Sequence, residues 1–243
     1  MDKVMLVTGG GRGIGAATAR LAAGRGWRVA VNYVRDRKSG EALAKEISGV
    51  AIAGDVAQEA DVVRIFEELD RKLGRISVLV NNAGIVDLTA RVDEMSAPRL
   101  QRMFAVNVFG SFYCAREAIR RMSKRHGGPG GSIINLSSVA ARIGSPGMYV
   151  DYAAAKGAID TFTLGLAKEV GGEGIRVNAV RPGVILTEIH ATGGDPGRAE
   201  RIGASAPLAR AGSADEIARA IVWLASDEAS YVTGAILDVS GGR

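Results

Sequence analysis

The stretch TGGGRGIG, residues 8–15, decides the fold, because it joins a short apolar run, VMLV at 4–7, to a helical pattern at 13–25. Glycines let backbone amides approach a pyrophosphate, and the dipole of the following helix favours an anion at its N-terminus. The spacing is T-G-x-x-x-G-x-G rather than the common G-x-G-x-x-G, and it is carried by Thr8, Gly9, Gly13 and Gly15. A glycine-rich turn without a ligand is the alternative, but the strand before the loop and the helix after it favour a nucleotide site.

Short β-branched runs alternate with helical patterns along the whole chain. Several runs are continuously apolar, as expected for parallel strands that helices cover on both faces. Strands are expected at 4–7, 28–32, 50–53, 77–81, 132–136, 175–180 and 235–239, and helices at 13–25, 39–47, 60–73, 97–125, 152–170 and 213–226. This order predicts an α/β fold with a doubly wound, seven-stranded parallel sheet between two helical layers.

No linker, low-complexity tract or repeat interrupts this pattern, so we expect a single domain over residues 1–243. The only long irregular segment runs from about 186 to 212 and is rich in glycine, alanine and proline. Irregular segments of this length in compact domains are usually functional. We therefore predict that it forms a substrate lid.

Composition excludes several classes of function. The formal net charge is +5, but the basic residues are scattered rather than clustered with aromatic residues, so we expect no nucleic-acid partner. No apolar run approaches the roughly 18 residues of a membrane span, and the N-terminal segment does not fit a signal peptide. Cys114 is the only cysteine and is expected to be a buried thiol rather than a nucleophile. The sequence predicts a soluble cytoplasmic protein without a membrane partner, and we assign no metal site.

Further motifs follow the glycine loop in a fixed order. They are GDV at 54–56, NNAG at 81–84, FAVNVFGSF at 104–112, INLSS at 134–138, YAAAK at 152–156, RPGVILT at 181–187 and VSGG at 239–242. Their order and spacing, from Val4 to Gly242, resemble the short-chain dehydrogenase/reductase family in its single-domain branch, which has a Rossmann-type fold. The resemblance is nearest to 3-oxoacyl thioester reductases and to glucose 1-dehydrogenases, and VNY at 31–33 is frequent in the second group.

This resemblance implies contacts to a nicotinamide dinucleotide. The pyrophosphate would lie on the glycine loop, the adenine beside Asp55, and the nicotinamide near Thr187, in the crevice at the carboxyl ends of the strands. The cofactor residues implied in this way are Gly9, Gly13, Ile14, Gly15, Asp55, Val56, Asn82, Ala83, Gly84, Pro182, Gly183, Ile185 and Thr187.

The choice between NADP and NAD depends on charge at the end of the second strand. NAD-specific relatives resemble one another in carrying an acid there, which accepts from the ribose 2′-hydroxyl. This chain has Asn32 followed by Tyr33, and the nearby arginines Arg12 and Arg35 could bind a 2′-phosphate. Asp36 lies close in sequence, and its negative charge argues against a 2′-phosphate there. The balance favours NADP(H), with NAD(H) left open.

Tyr152 and Lys156 are the main candidates for chemistry. Four residues apart, they lie on one helix face, where a cation favours the phenolate and lowers the tyrosine pKa. An ordinary surface contact between the two is the alternative. With Asp151 as the expected N-cap, Tyr149 lies in the preceding loop, where it either lines the substrate entrance or packs. The resemblance adds that Lys156 would bind the ribose of the nicotinamide.

Two polar residues complete the predicted catalytic set. Ser138 follows the fifth strand and could steady the oxygen of a substrate carbonyl, with Ser137 as the competing choice. Asn107 is an unusual residue between Val106 and Val108. By resemblance it would hold a water in a proton relay behind Lys156, and the alternative is an amide satisfied in the core.

We therefore expect an NAD(P)(H)-dependent oxidoreductase that interconverts a carbonyl and a secondary alcohol, with Tyr152 as general acid and base. The substrate residues are expected to be Ser138, Tyr149, Tyr152, Ile189 and His190, with Ile185 and Pro207 as further contacts. The substrate itself is left open. A cofactor-binding sensor or scaffold without turnover is the alternative function. By resemblance we also expect a homotetramer that packs through helices 97–125 and 152–170.

Overall fold

The computed structural model describes residues 3–188 and 197–243. Its sheet has seven parallel strands, β1 to β7, in the order β3-β2-β1-β4-β5-β6-β7, which confirms the predicted doubly wound topology. The strands are β1 Val4–Val7, β2 Arg28–Tyr33, β3 Val50–Ala53, β4 Val78–Asn81, β5 Gly131–Leu136, β6 Ile175–Pro182 and β7 Ile236–Val239. Each expected strand is therefore present within two residues of its predicted limits.

Helices cover both faces of this sheet. The α-helices are α1 Gly13–Gly24, α2 Arg37–Glu46, α3 Glu59–Leu73, α4 Ala97–Phe104, α5 Gly110–Met122, α6 Ala140–Ile143, α7 Val150–Val170, α8 Arg198–Gly203 and α9 Ala214–Ala225. Single 3₁₀ turns occur at Val92–Glu94, Lys124–His126, Gly171–Glu173 and Asp227–Ala229. The helix predicted at 97–125 is two helices joined by a π-helical turn, Ala105–Phe109, and the short α6 was not predicted.

The alternation of side chains along each strand divides the core into two layers. Leu6 and Leu79 face α3, α5 and α7, where Phe66 is the largest fully buried side chain. Met5 and Val80 face the opposite side and pack against α1, α2 and α9. Because strands buried on both faces need apolar residues at successive positions, the continuous runs seen in the sequence are explained. Cys114 lies in the first layer, fully buried as predicted, and burial raises the pKa of its thiol to about 12.

The carboxyl ends of the strands meet at one edge of the sheet, and there the topology gathers the predicted motifs. From β1 the successive strands are added on one side, through β2 to β3, and from β4 they are added on the other side, through to β7. The loops after β1 and β4 therefore diverge and leave a crevice between them. The segment after β6 is tied back by a bridge between Ile185 and Gly212. Between those residues the predicted lid includes α8. Within the part of the chain that the structure describes, no helix is both long and apolar enough to cross a membrane.

Candidate functional site

The glycine loop after β1 has a shape that only glycine supports at three positions. Gly9 and Gly13 have φ values of +58° and +52°, in the left-handed region that side chains disfavour. A Cβ added at Gly9 would lie 3.0 Å from the Cα of Ala83. At Gly15 it would lie 2.6 Å from Nδ2 of Asn82. The loop therefore packs directly on the NNAG turn and directs the first amides of α1 into the crevice.

Thr8 and Asn82 join the loop to β4. The hydroxyl of Thr8, buried in the core, accepts from the backbone amides of Asn82 and Ala83, each at 3.0 Å. In return, Nδ2 of Asn82 donates to the carbonyl oxygens of Thr8 at 2.8 Å and Gly9 at 3.0 Å. These bonds hold the two walls of the crevice in a fixed relation.

Asn32 holds the loop from the other side. Its Oδ1 accepts from the amide of Gly9 at 3.2 Å, and its Nδ2 donates to the carbonyls of Ile52 at 3.2 Å and Gly54 at 2.9 Å. The side chain is fully buried, so both of its polar atoms are used inside the protein. Asn32 thus positions the glycine loop, and its predicted place among the cofactor-binding residues stays a prediction.

The other residues near the end of β2 face solvent more openly. Arg12 and Arg35 are exposed, and the half-buried ring of Tyr33 packs on Gly40. Asp36 caps α2 by accepting from the amide of Ser39 at 3.0 Å. This hydrogen bonding lowers the pKa of Asp36 and the charge of Arg12 adds to the effect, so the two groups lie within electrostatic reach.

Asp55 and Val56 border the crevice after β3. Oδ1 of Asp55 accepts from the amide of Ala57 at 3.0 Å, and Oδ2 accepts from Nη1 of Arg102 at 3.0 Å. A carboxylate oxygen accepts more than one hydrogen bond, so these partners leave capacity for an adenine amine. Val56 is buried and fits against Gly110, where an added Cβ would lie 2.8 Å from its Cγ2.

The segment after β6 lies beside the glycine loop. The amide of Gly183 donates to the carbonyl of Val239 at 3.1 Å, so the residues after Pro182 are held by the end of β7. Ile185 is buried. A Cβ added at Gly13 would lie 3.3 Å from Cγ2 of Thr187. The predicted nicotinamide segment therefore contacts the predicted pyrophosphate loop.

The start of α7 differs from the prediction. The helix begins at Val150 with Tyr149 at the N-cap position, so the assignment of Asp151 as N-cap was wrong. Asp151 is instead inside the first turn, and Arg99 draws its buried carboxylate into an ion pair at 2.8 Å. Tyr149 lies directly before the helix, as expected, and is buried.

The side chains of Ser138, Tyr152 and Lys156 are gathered at the end of β5. The hydroxyl of Ser138 lies within hydrogen-bonding reach of the phenol of Tyr152. Nζ of Lys156 lies over the ring of Tyr152, 5.6 Å from its centroid, and donates to the carbonyl of Leu136 at 2.6 Å. Ser137 points the other way, since its hydroxyl donates to the carbonyl of Lys156 at 3.3 Å. Of the two serines, Ser138 is the one beside Tyr152.

Burial governs the protonation of this group. It raises the pKa of Tyr152 to about 12, against a smaller opposing effect of the hydrogen bond with Ser138. This direction is opposite to the lowering that we expected from Lys156. Burial also lowers the pKa of Lys156 to about 8, and the charge of Asp160 opposes that change. Tyr152 is therefore a neutral phenol near pH 7, while Lys156 still binds its proton.

Asn107 lies in the π-helical turn behind Lys156 and is buried. Its Nδ2 donates to the carbonyls of Ile85 and Met103, each at 3.0 Å, and its Oδ1 accepts from the amide of Ile85 at 3.2 Å. The side chain is thus a satisfied amide that holds the turn after β4. Gly84 fits between it and Lys156, because an added Cβ would lie 2.9 Å from Oδ1 of Asn107 and 3.6 Å from Nζ of Lys156. The water relay stays a prediction.

A cavity of about 510 Å³ lies beside the segment after β6, between the end of the lid and the C-terminus. Ile185 and Pro207 line it together with Arg142 and Asp238, whereas Ser138 and Tyr152 are not among its lining residues. Ile189 and His190, the other predicted substrate contacts, lie outside the described residues.

Comparison with known proteins agrees with this geometry. A family model described as enoyl-(acyl carrier protein) reductase matches residues 9–243. The chain belongs to the short-chain dehydrogenase/reductase family. It is accordingly an oxidoreductase of that family.

Three relatives of this short-chain dehydrogenase/reductase align over nearly its whole length. An uncharacterized oxidoreductase of Escherichia coli, YgfF, is 50% identical over 99% of each chain. A 3-oxoacyl-[acyl-carrier-protein] reductase of Bos taurus is 41% identical over 100% of this chain and 98% of its own. The chloroplastic NADPH-dependent aldehyde reductase 1 of Arabidopsis thaliana is 36% identical over 99% of this chain and 85% of its own.

The residues present fit the dinucleotide that the family uses. The glycine loop has positive φ at Gly9 and Gly13 and no space for a Cβ at Gly15, and it leads into the N-terminus of α1, where backbone amides bind anions such as a pyrophosphate. Thr8 was predicted only as part of the glycine motif, and Asp160 had no predicted role. In this short-chain dehydrogenase/reductase Thr8 holds the two walls of the crevice together and Asp160 influences Lys156. For Asp160 a signal was available, because it follows Lys156 by the same interval that separates Lys156 from Tyr152.

Proposed function

We propose that this enzyme interconverts a carbonyl and a secondary alcohol with NADP(H) as its cofactor. The observation that carries the proposal is the ammonium of Lys156 over the ring of Tyr152 at the edge of the nucleotide crevice, with Ser138 within hydrogen-bonding reach of the phenol. The bound nicotinamide supplies or accepts the hydride. Residues of this chain orient the substrate oxygen and transfer its proton.

In the reductive direction Tyr152 is the proton donor. Its raised pKa keeps it protonated at neutral pH, and the oxygen of a carbonyl becomes strongly basic as it is reduced, so proton transfer from the phenol is favourable. Ser138 donates to the same oxygen and holds it within reach of Tyr152. Lys156, still charged at neutral pH, stabilises the phenolate that remains.

Three kinds of support favour NADP(H) over NAD(H). The chain lacks an acid at the end of β2, where Asn32 is used to hold the glycine loop. Arg12 and Arg35 present exposed guanidinium groups near that end. One relative is named as NADPH-dependent. Asp36 is the opposing charge, and its role as the cap of α2 engages one of its oxygens.

The substrate class is to be found by experiment, since the names of the relatives span thioesters, aldehydes and sugars. The test is a spectrophotometric panel that follows NADPH and NADH separately with acetoacetyl-CoA, an aliphatic aldehyde, glucose and ribitol. Tyr152→Phe is expected to bind NADPH within about twofold of wild type and to lose turnover by at least 10²-fold, the range of general acid–base catalysis. Tyr231→Phe, at a fully exposed site outside the predicted catalytic and substrate residues, is the matched control and should retain turnover.

Two results would overturn this proposal. Wild-type turnover by Tyr152→Phe would exclude the tyrosine mechanism. Cofactor binding without turnover on any member of a broad carbonyl and alcohol panel would favour the alternative, a sensor or scaffold that uses the same fold.

We also propose that residues 1–243 form one catalytic domain that assembles as a homotetramer through α5 and α7. Support comes from three large apolar side chains on these helices and the turn before them, Phe109, Phe112 and Leu164, each more than two-fifths exposed. The rings of Phe112 and Phe162 stack with centroids 3.9 Å apart and link the two helices. Light scattering should report a tetramer for wild type, and a smaller species for Phe112→Glu, because a charge in an apolar interface opposes association.

A further inference from the structure

We propose that Asp160 is a positioning residue of the reaction, whose carboxylate stabilises the charged ammonium of Lys156 beside the ring of Tyr152. The inference rests on the proposed function, because Lys156 matters only if Tyr152 transfers the proton. It assigns a role to a buried acid that lies outside the catalytic set predicted from the sequence.

Spacing on α7 brings the three residues together. Tyr152, Lys156 and Asp160 are separated by four residues each, so they lie in one row along the helix. Lys156 is 4% exposed and Asp160 is 8% exposed. A carboxylate one turn from a buried ammonium acts through protein rather than through water, where its effect would be weak.

Arg181 holds this carboxylate by one oxygen only. From β6, Nε and Nη2 of Arg181 both donate to Oδ2 of Asp160, at 3.0 Å and 2.8 Å. Oδ1 is buried and accepts no hydrogen bond from any described residue. A buried carboxylate oxygen without a donor is costly, so it needs a positive charge nearby. Besides Arg181, the charge of Lys156 acts on Asp160 across one helical turn, while its Nζ bonds the carbonyl of Leu136.

Asp160 is the acid whose charge acts on Lys156. The ammonium itself is faced by the ring of Tyr152 from α7, by the carbonyl of Leu136 from the end of β5, and by Gly84, next to the neutral amide of Asn107, from the turn after β4. Behind Asp160, Arg181 also bonds Asp238 at 3.3 Å, and Arg142 bonds the other oxygen of Asp238 at 2.7 Å. Asp151, near Tyr152, is neutralised by Arg99.

Opposing effects therefore set the charge of Lys156. Burial lowers its pKa to about 8, and Asp160 opposes the decrease, so the ammonium persists at neutral pH. Without Asp160, burial and the unpaired charge of Arg181 would both disfavour the ammonium. The lysine would then lose its proton near the pH at which the enzyme works.

The test measures the pKa of Lys156 directly by NMR of protein labelled with ¹³C at lysine Cε, with the resonance identified by its loss in Lys156→Arg. Asp160→Asn should lower that pKa by about 0.5 to 1 unit relative to wild type. Asp160→Asn combined with Arg181→Met removes both charges, and its pKa should lie between those of wild type and the single variant. Glu169→Gln is the matched control, since it removes an exposed acid more than three turns along the same helix.

An unchanged pKa of Lys156 in folded Asp160→Asn would overturn the inference, as would an equal shift in Glu169→Gln. If Asp160→Asn does not fold, the double variant takes its place, because it leaves no unpaired guanidinium. A pKa of Lys156 in the double variant equal to that of wild type would then overturn the inference. The measurement needs no substrate, so its failure is separate from failure of the proposed function, which Tyr152→Phe tests in the turnover panel. Where turnover is found, the alkaline limb of the kcat/KM profile should move with the pKa of Lys156, and a merely structural role would leave it in place.

Discussion

Arg99 of α4 and Asp151 of α7 form an ion pair that is almost completely withdrawn from solvent. Nε of Arg99 donates to Oδ2 of Asp151 at 2.8 Å, and the two side chains are 11% and 0% exposed. Nη1 of Arg99 also donates to the carbonyl of Leu88 at 2.6 Å, and Oδ1 of Asp151 accepts from the amide of Tyr152 at 2.9 Å. One guanidinium thus ties the loop after β4 to the turn that carries Tyr152.

Removal of Arg99 should destabilise the fold strongly. Arg99→Met would leave the carboxylate of Asp151 buried without its cation, and breaking such a pair costs roughly 3 to 5 kcal/mol. Urea denaturation at neutral pH measures the change in the free energy of unfolding. The exposed pair of Arg37 and Glu41 is the control, because solvent screens it and Arg37→Ala should leave the free energy of unfolding nearly unchanged. If both variants lost the same amount, burial would not be what makes the Arg99 pair important.

Two glycines of α1 should respond in opposite ways to the same substitution. A Cβ at Gly15 would lie 2.6 Å from Nδ2 of Asn82 and 2.8 Å from the Cα of Gly10, so Gly15→Ala should cost about 1 to 3 kcal/mol and weaken NADPH binding. Gly24 has no atom within 4 Å of an added Cβ, and Gly24→Ala should stabilise by up to about 1 kcal/mol. Thermal unfolding and NADPH titration of both variants check this, and equal effects on binding would contradict the role given to Gly15.

The seven parallel strands of the sheet could be predicted because each strand is an apolar run that the chain must bury on two faces. Motif order likewise predicted which residues gather at the crevice, and Ser138, Tyr152 and Lys156 do lie together. The hydrogen-bond partners of polar side chains could not be predicted in this way. Asn32 and Asn107 bond backbone groups of segments far along the chain, and nothing in the adjacent sequence marks those partners.

The protonation of Tyr152 shows the same limit. A lysine four residues away predicts a lowered pKa, but burial depends on how the crevice packs, and here it has the larger effect. The prediction of Asp151 as the N-cap of α7 was wrong for a related reason. Its carboxylate pairs with Arg99, a residue from another helix. Local pattern predicts spacing well, whereas long-range contacts decide which polar atom bonds to which.

Lys156 should make the stability of the enzyme depend on pH. Its pKa is about 8 in the folded protein against 10.5 as the ordinary value, so above pH 8 the unfolded chain holds a proton that the folded protein has released. Stability contributed by this residue therefore rises with pH across that window. Lys156→Met lacks the titration, and its free energy of unfolding relative to wild type should fall by about 2 kcal/mol between pH 7 and about 9.5. Lys168→Met, at an exposed site on α7, should show no such change, and a flat difference for Lys156→Met would contradict the lowered pKa.

Cofactor preference should depend on the two exposed arginines near the end of β2. A guanidinium paired with the 2′-phosphate contributes roughly 1.5 to 3 kcal/mol, so Arg12→Ser and Arg35→Ser should each weaken NADPH binding about 10- to 100-fold. NADH lacks that phosphate, and its Kd should change by less than about threefold because the pair contributes nothing to it. Isothermal titration calorimetry with each dinucleotide measures both constants without a substrate.

Two neighbours in the same segment serve as controls for this prediction. Arg37 already pairs with Glu41 at 2.7 Å, so Arg37→Ser should leave both affinities unchanged. Asp36 lies within electrostatic reach of Arg12, so Asp36→Asn should tighten NADPH more than NADH by removing a charge that repels the phosphate. A parallel loss of both dinucleotides in Arg12→Ser and Arg35→Ser would mean that these arginines bind the shared pyrophosphate, and tighter NADH than NADPH binding by wild type would reverse the proposed cofactor choice.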